Sequence, residues 1–266
     1  MDKRIFPPEL HYNIHDEHKL DLATYERLYK EDHCLKILPY LVKTASLTPS
    51  SAVYDHGCGP APLAFAFSNY LNDSGAYFGF DINLKAVTYL KEAYADRPNF
   101  RFHCASVPVE EDYVVLRDPK FGSATENRTA AKDIDLVSFV DRPIDVIYSG
   151  SVFTHMWPDT IVSTLEKFPQ LIGQSGLTVS TWLIVDEFAE YVLKCGLADR
   201  QLPFEINGAL TMTQVNPLVC TAYRESRVRE IYARAGLEIV DIVRGSWAGR
   251  ENGVTSQDIV VARALA

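Results

Sequence analysis

Short apolar runs, bounded by turn residues, alternate with amphipathic segments along most of this chain. Residues 51–57 (SAVYDHG) predict a strand, because a brief apolar run rich in β-branched and aromatic residues suits a strand covered on both faces. PAPLAFAFSNYL (60–71) predicts the helix that follows, with both prolines in its first turn, where a missing N–H costs little. The pattern repeats with a strand over 76–82, a helix over 83–95 begun by Asn83, and a strand over 99–105. Further on come a strand over 144–150, a helix over 158–172, a strand over 176–185 introduced by Gly173 and Gly176, and a helix over 186–195. Residues 196–220 hold Gly196, Pro203, Gly208 and Pro217 and read as irregular. A helix over 222–236, ended by Gly236, precedes two β-rich runs at 237–245 and 257–265. Their short, glycine-containing connector predicts an antiparallel hairpin.

Strands alternating with helices predict an α/β fold: a Rossmann-like, doubly wound sheet, mostly parallel, with the C-terminal hairpin as an antiparallel edge. Two segments break the alternation. Residues 1–50 read as a mostly helical cap, with Leu35, Leu38, Leu41, Val42 and Ala45 on one apolar stripe. Residues 51–266 form the main domain, interrupted at 107–142 by an insertion with eight acids and five bases. A connection that long suggests a lid or an added subelement.

Composition narrows the function. The 266 residues are 47% hydrophobic and 23% charged, as in ordinary soluble domains. A net charge of −9 argues against a phosphate backbone as the main partner, so no nucleic acid is expected. Five cysteines, none spaced Cys-x-x-Cys, argue against a disulfide framework or zinc ribbon. The opening residues lack the apolar core of a secretory leader. No run approaches the ~18 apolar residues of a membrane helix. A cytoplasmic protein with no membrane partner is expected.

In an open α/β sheet, ligands gather beyond the carboxyl ends of the strands. The first strand there ends Asp55-His56-Gly57-Cys58-Gly59-Pro60-Ala61-Pro62. Glycines let the backbone turn tightly, and the helix that follows points N–H groups at a ligand. A dinucleotide fingerprint requires glycine where Pro62 stands. Asp55 suits a ligand with a positively charged amino acid moiety. Asp81, 22 residues after Gly59, ends the second strand, where a carboxylate can accept both hydroxyls of a ribose. The alternative is a helix cap, a task Asn83 can take instead.

The turn resembles the first motif, D/E-x-G-x-G-x-G, of the class I S-adenosylmethionine-dependent methyltransferases, with Ala61 replacing the last glycine. Residues 144–156 (IDVIYSGSVFTHM) resemble the FDVVYSxSVFTHL segment of small-molecule and sugar methyltransferases. Residues 171–177 resemble their LKPGGxL turn. Phe6-Pro7-Pro8-Glu9-Leu10 and Gly245-Ser246-Trp247-Ala248-Gly249 resemble the two ends of bacterial members found with polysaccharide genes. The resemblance implies S-adenosyl-L-methionine as cofactor, with S-adenosyl-L-homocysteine as product. It places Asp55, Gly57, Cys58, Gly59, Asp81, Ile82, Ala105, Ser106, Ser149 and Gly150 at the cofactor, Ile82 on the adenine. Cys104 stands where relatives carry an acid for the adenine amino group.

Methyl transfer to a hydroxyl needs in-line orientation and benefits from a base. His155, just past the fourth strand, is the candidate base, its alternative being to cap or pack the next helix. Asp145, early in its strand, reads as structural, and His56 as packing within the turn. His11, His15 and His18 share a helical face without a carboxylate partner pattern, so no metal is expected. Trp157, Trp182 and Trp247 read as core or pocket wall, with Trp247 the best placed to touch substrate. The expected activity is O-methylation of a small-molecule or sugar-containing acceptor. A nicotinamide-dependent oxidoreductase and a catalytically silent cofactor-binding module are the alternatives.

Overall fold

The computed structural model describes residues 3–5, 7, 22–104 and 139–265. Five adjacent parallel strands make up most of its main sheet: β1 (Ala52–His56), β2 (Ala76–Asp81), β3 (Phe100–Cys104), β4 (Ile144–Ser149) and β5 (Ile172–Trp182). The C-terminal pair β10 (Leu237–Val243) and β11 (Asp258–Ala264) completes seven strands in the order β10-β11-β5-β4-β1-β2-β3. The chain thus winds outward from β1 in both directions, and the order reverses between β1 and β4. The antiparallel strand is β11, which lies inside against β5, so β10 forms the outer edge. A bulge between Ile239 and Asp241 interrupts the pairing of β10 with β11.

All five residues of β1 are buried, as expected for a central strand covered on both faces. Alternate residues enter two separate cores. Tyr54, Phe78 and Ile147 pack with Ile161 and Leu165 of α5 (Pro158–Leu165) and Val228 and Ile231 of α7 (Glu225–Arg234). Val53, Tyr77 and Val146 pack on the other face. Their partners are Leu41 of α2 (Leu38–Thr44), Leu63 and Phe67 of α3 (Pro62–Ser68), and Val87 and Leu90 of α4 (Leu84–Ala93).

The structure departs from the sequence reading in four places. The irregular section contains β7 (Phe204–Ile206), β8 (Ala209–Thr211) and β9 (Thr221–Arg224). With β6 (Ile184–Val185) they form a second sheet, ordered β6-β9-β8-β7. Asn207 and Gly208, both with positive φ, close the β7–β8 hairpin, the backbone geometry a two-residue turn favours. β9 takes residues the periodicity assigned to the following helix. Thr221, Ala222 and Tyr223 are buried, and pairing with β6 and β8 outweighs the helical preference of Ala222, with Thr221 and Tyr223 suited to a strand. The second departure is the helix expected over 158–172, which stops at Leu165 and gives way to a 3₁₀ turn over Phe168–Gln170. The other helices are close to expectation, including α6 (Glu187–Lys194), whose cap Asp186 accepts the Ala189 N–H.

The third departure is at the start of β5, which opens at Ile172. A register irregularity lets Ile144 face Ile172 while Val146 faces Leu177. The fourth is the N-terminal stripe. Residues Leu28–Ile37 wind as a π-helix between α1 (Leu22–Arg27) and α2. The wider turn rotates the apolar face, so Leu35 is exposed while Ile37 and Leu41 are buried.

Candidate active site

The turn after β1 sits at the reversal in strand order. The backbone N–H groups of Gly57 and Cys58 both donate to the Phe80 carbonyl, at 2.8 and 2.9 Å, and so join the turn to β2. Gly57 has φ +75°, and Val152 fills the space its Cβ would need. Ala61, at the start of α3, has φ +53° and adopts the left-handed conformation that a glycine would take there. The departure from the D/E-x-G-x-G-x-G pattern therefore leaves the path of the turn intact. Across it, the Tyr29 hydroxyl donates to the Pro60 carbonyl at 2.8 Å, which brings the N-terminal helical segment to the site's edge.

Two buried carboxylates flank this turn. Asp81 accepts the Gly59 N–H on one oxygen at 2.7 Å and the Asn83 N–H on the other at 2.8 Å. Asn83 is indeed the cap of α4, its side chain accepting the Ala86 N–H at 3.1 Å. Burial raises the Asp81 pKa, while the backbone N–H groups of Asn83, Gly59 and Ile82 pull it back. Asp55 accepts a hydrogen bond from the Tyr77 hydroxyl. Burial pushes its pKa up to about 7, the Tyr77 hydrogen bond opposes that, and the Asp81 charge adds to it. Among the described residues no cationic side chain pairs with either acid.

The other predicted cofactor residues line the same strand ends. Cys58 is buried and Ile82 half-buried. Ser149 ends β4 with its Oγ buried and without a hydrogen-bond partner among the described residues. Gly150 follows, with the Tyr148 ring where its Cβ would lie. Ser151, at φ +56°, donates its N–H to Thr181 Oγ1 at 2.7 Å, which ties the β4 loop to β5. Cys104, at the end of β3, is the register partner of Asp81 on β2, and its thiol is pushed up to about 11, by burial first and by Asp81 next. Ala105, Ser106 and the insertion through residue 138 lie outside the described residues, as do His11, His15 and His18. Among the described residues no group of His, Cys, Asp and Glu side chains could hold a metal ion.

His155 closes the 3₁₀ turn Phe153–His155 that follows β4. Its Nδ1 lies 2.9 Å from the Leu218 carbonyl, so the ring donates there. Burial lowers its pKa, opposed by the Leu218 carbonyl, so the ring is neutral at neutral pH. The second sheet braces this turn: the Tyr223 hydroxyl donates to the Met156 carbonyl at 2.5 Å and Thr221 Oγ1 to the Phe153 carbonyl at 3.4 Å.

Asp145 proves structural, accepting the Ala52 N–H at 2.7 Å. His56 stacks on Phe80 with centroids 5.2 Å apart, and burial lowers its pKa to about 3. Trp247 is not a pocket wall. It is 1% exposed in a small core beside β6 and donates its indole N–H to buried Asp258 at 2.7 Å. Trp182 is likewise buried, donating to Ser180 Oγ at 2.8 Å. Tyr77, Thr181 and Leu218 are the residues that the motifs did not indicate. For Tyr77 one signal exists: a tyrosine inside a buried strand needs a partner for its hydroxyl.

No known protein-family model matches the sequence. The fold is similar to several solved structures. One is an S-adenosylmethionine-dependent methyltransferase from Clostridium acetobutylicum (TM-score 0.54, 10% identity, 92% of this chain and 97% of that one). Another is magnesium protoporphyrin IX methyltransferase from Synechocystis with bound SAH (TM-score 0.52, 13% identity, 93% and 89%). A third is the glycopeptide N-methyltransferase MtfA complexed with sinefungin (TM-score 0.53, 10% identity, 90% and 91%). The chain has the class I methyltransferase fold, with its seven-stranded sheet and one reversed strand next to the edge.

Proposed function

We propose that this protein is an S-adenosylmethionine-dependent methyltransferase acting on a hydroxyl of a small-molecule or sugar-containing acceptor. The observation that carries the reading is the pair Asp55 and Asp81: two buried acids beside a glycine turn, at the switch point of the sheet, without a cationic partner among the described residues. Leaving charge uncompensated there is costly unless a ligand supplies cations and hydrogen-bond donors. An amino acid moiety and a ribose supply both. When bound, the cofactor provides an activated methyl group on a sulfonium.

The residues divide the remaining work. Asp55 receives an ammonium group. Asp81 accepts ribose hydroxyls on the lone pairs that Gly59 and Asn83 leave open. The left-handed backbone at Gly57, Gly59 and Ala61 permits close approach, Ile82 covers one face of a planar base, and Ser149 offers its unpartnered hydroxyl. Ala105 and Ser106, next along the chain, belong to this set by the resemblance. His155, neutral and oriented by Leu218, takes the proton of the acceptor hydroxyl. The N-terminal helical segment acts as a cap, held by Tyr29 at Pro60, and the 107–142 insertion as a lid. Titration calorimetry with S-adenosylhomocysteine and NAD tests the class. Binding of the first alone is expected, and binding of NAD alone would overturn the reading in favour of an oxidoreductase. Turnover assays with hydroxyl acceptors, including sugars, then separate an enzyme from a silent module.

A further inference from the structure

Tyr77 has no place in the motifs, yet it is the side chain in direct contact with Asp55. Its ring is fully buried in β2, stacked on Phe100 (centroids 5.3 Å apart, planes at 14°) and set against Phe67 and Phe102. The aromatic surroundings fix the ring and leave only its tip polar. That tip meets a carboxylate, itself 3% exposed, on the neighbouring strand. Val53 lies opposite Tyr77 and Gly79 opposite Asp55, so tyrosine and acid are diagonal neighbours on one face of the sheet.

We propose that Tyr77 is a positioning residue of the cofactor site: its hydroxyl fixes the Asp55 carboxyl for an incoming ammonium group, and arrival of that cation releases the Asp55 proton to solvent. The inference rests on the methyltransferase reading given above. Among the described residues, the titratable groups on the Asp55 side of the sheet are Tyr77 and Asp81 on β2, Cys58 in the turn and Tyr148 on β4, and none of them is a cation. Without a cation, burial and Asp81 both favour the protonated acid. Tyr77 works against them, because a donor to the charged form stabilises it. The hydroxyl thus sets how readily Asp55 gives up its proton, while the stacked ring maintains the core.

The test is titration calorimetry of S-adenosylhomocysteine against wild type, Tyr77→Phe and Asp55→Asn, from about pH 5.5 to about 8.5, in two buffers of different ionisation heat. Wild type should bind more tightly as pH rises through about 7 and release a proton below that point. Tyr77→Phe keeps the stacked ring and should move the midpoint up by about one unit, with affinity near pH 7 roughly tenfold weaker. Asp55→Asn should bind weakly at every pH and lose the Asp55 proton release. The ligand's own amine titrates identically in all three, so the differences belong to the protein. Infrared titration of the empty protein supplies a readout without ligand: a protonated-carboxyl band that disappears near pH 7 and is missing in Asp55→Asn. Tight wild-type binding with the same pH profile in Tyr77→Phe, or no such band, would overturn the inference alone. A wild type that binds at no pH would overturn the cofactor reading beneath it as well.

Discussion

Asp81 accepts the backbone N–H of Gly59 at 2.7 Å, so the acid that ends β2 also holds the turn that follows β1. The residue has two duties, and removing it should show both. Asp81→Ala leaves two buried N–H groups without acceptors and should lower stability by about 1–3 kcal/mol each. It should also weaken S-adenosylhomocysteine binding by more than about tenfold, a loss of at least ~1.4 kcal/mol. Denaturant melts and calorimetry on the same preparation read the two effects. Full affinity in a folded alanine variant would remove Asp81 from the ribose.

Asp55 should weaken the empty protein above neutral pH. Its carboxyl pKa is raised in the fold from 3.8 to about 7, so the native state binds its proton more tightly than the unfolded chain does. The sign follows: this contribution favours folding below about pH 4, fades as pH rises towards about 7, and is constant beyond. Roughly 4 kcal/mol of stability is lost across the window at 1.36 kcal/mol per unit. Asp55→Asn should therefore be more stable than wild type at pH 8 while binding cofactor less well. Urea unfolding curves at pH 5 and pH 8 check this, and an asparagine variant less stable at both would refute it.

Gly57 is constrained twice, by a φ of +75° and by Val152. Gly57→Ala should cost about 1–3 kcal/mol from the backbone alone, with a further packing penalty. Val152→Ala in the same chain should recover the packing part and not the backbone part. Melting temperatures of wild type, the single variant and the double variant separate the two contributions.

His155 should govern turnover more than cofactor affinity. His155→Ala and His155→Gln should bind S-adenosylhomocysteine nearly as wild type does. Both should lose at least about tenfold in kcat with a hydroxyl acceptor, within the range expected for a base. Burial depresses the imidazole pKa, so the acid limb of the wild-type kcat profile should fall below pH 6.5 and be absent in the glutamine variant. Wild-type speed in His155→Gln would leave this residue a positioning role only.

The strand–helix alternation was legible because a parallel sheet buried on both faces writes itself as apolar runs such as 76–82 and 144–150. The acids at the strand ends were legible for a related reason: a carboxylate beside a glycine turn breaks an otherwise apolar pattern. The second sheet was not, because β7 and β8 are three residues each and too short for periodicity to register. The Asn207-Gly208 dipeptide between them did carry the hairpin signal. Tyr77 and Leu218 were hidden for another reason. The first reaches Asp55 through sheet register, and the second meets His155 through a backbone carbonyl that has no sequence signature. Trp247 was misplaced because an aromatic near a motif looks like a pocket wall until its N–H is seen on Asp258.

The bulge in β10 bears on behaviour in a crowded solution. Among the described residues β10 pairs on one side only, at one margin of the main sheet, the kind of strand onto which a second chain could add itself by backbone pairing. At Ile239–Asp241 its ladder is broken, and the flanking Glu238 is held by Arg263 at 2.7 Å. An irregular, charged margin is a poor template for another strand. Deleting Val240 to regularise the ladder, together with Glu238→Val, should therefore increase self-association through this edge, read by light scattering, without any change at the cofactor end of the sheet.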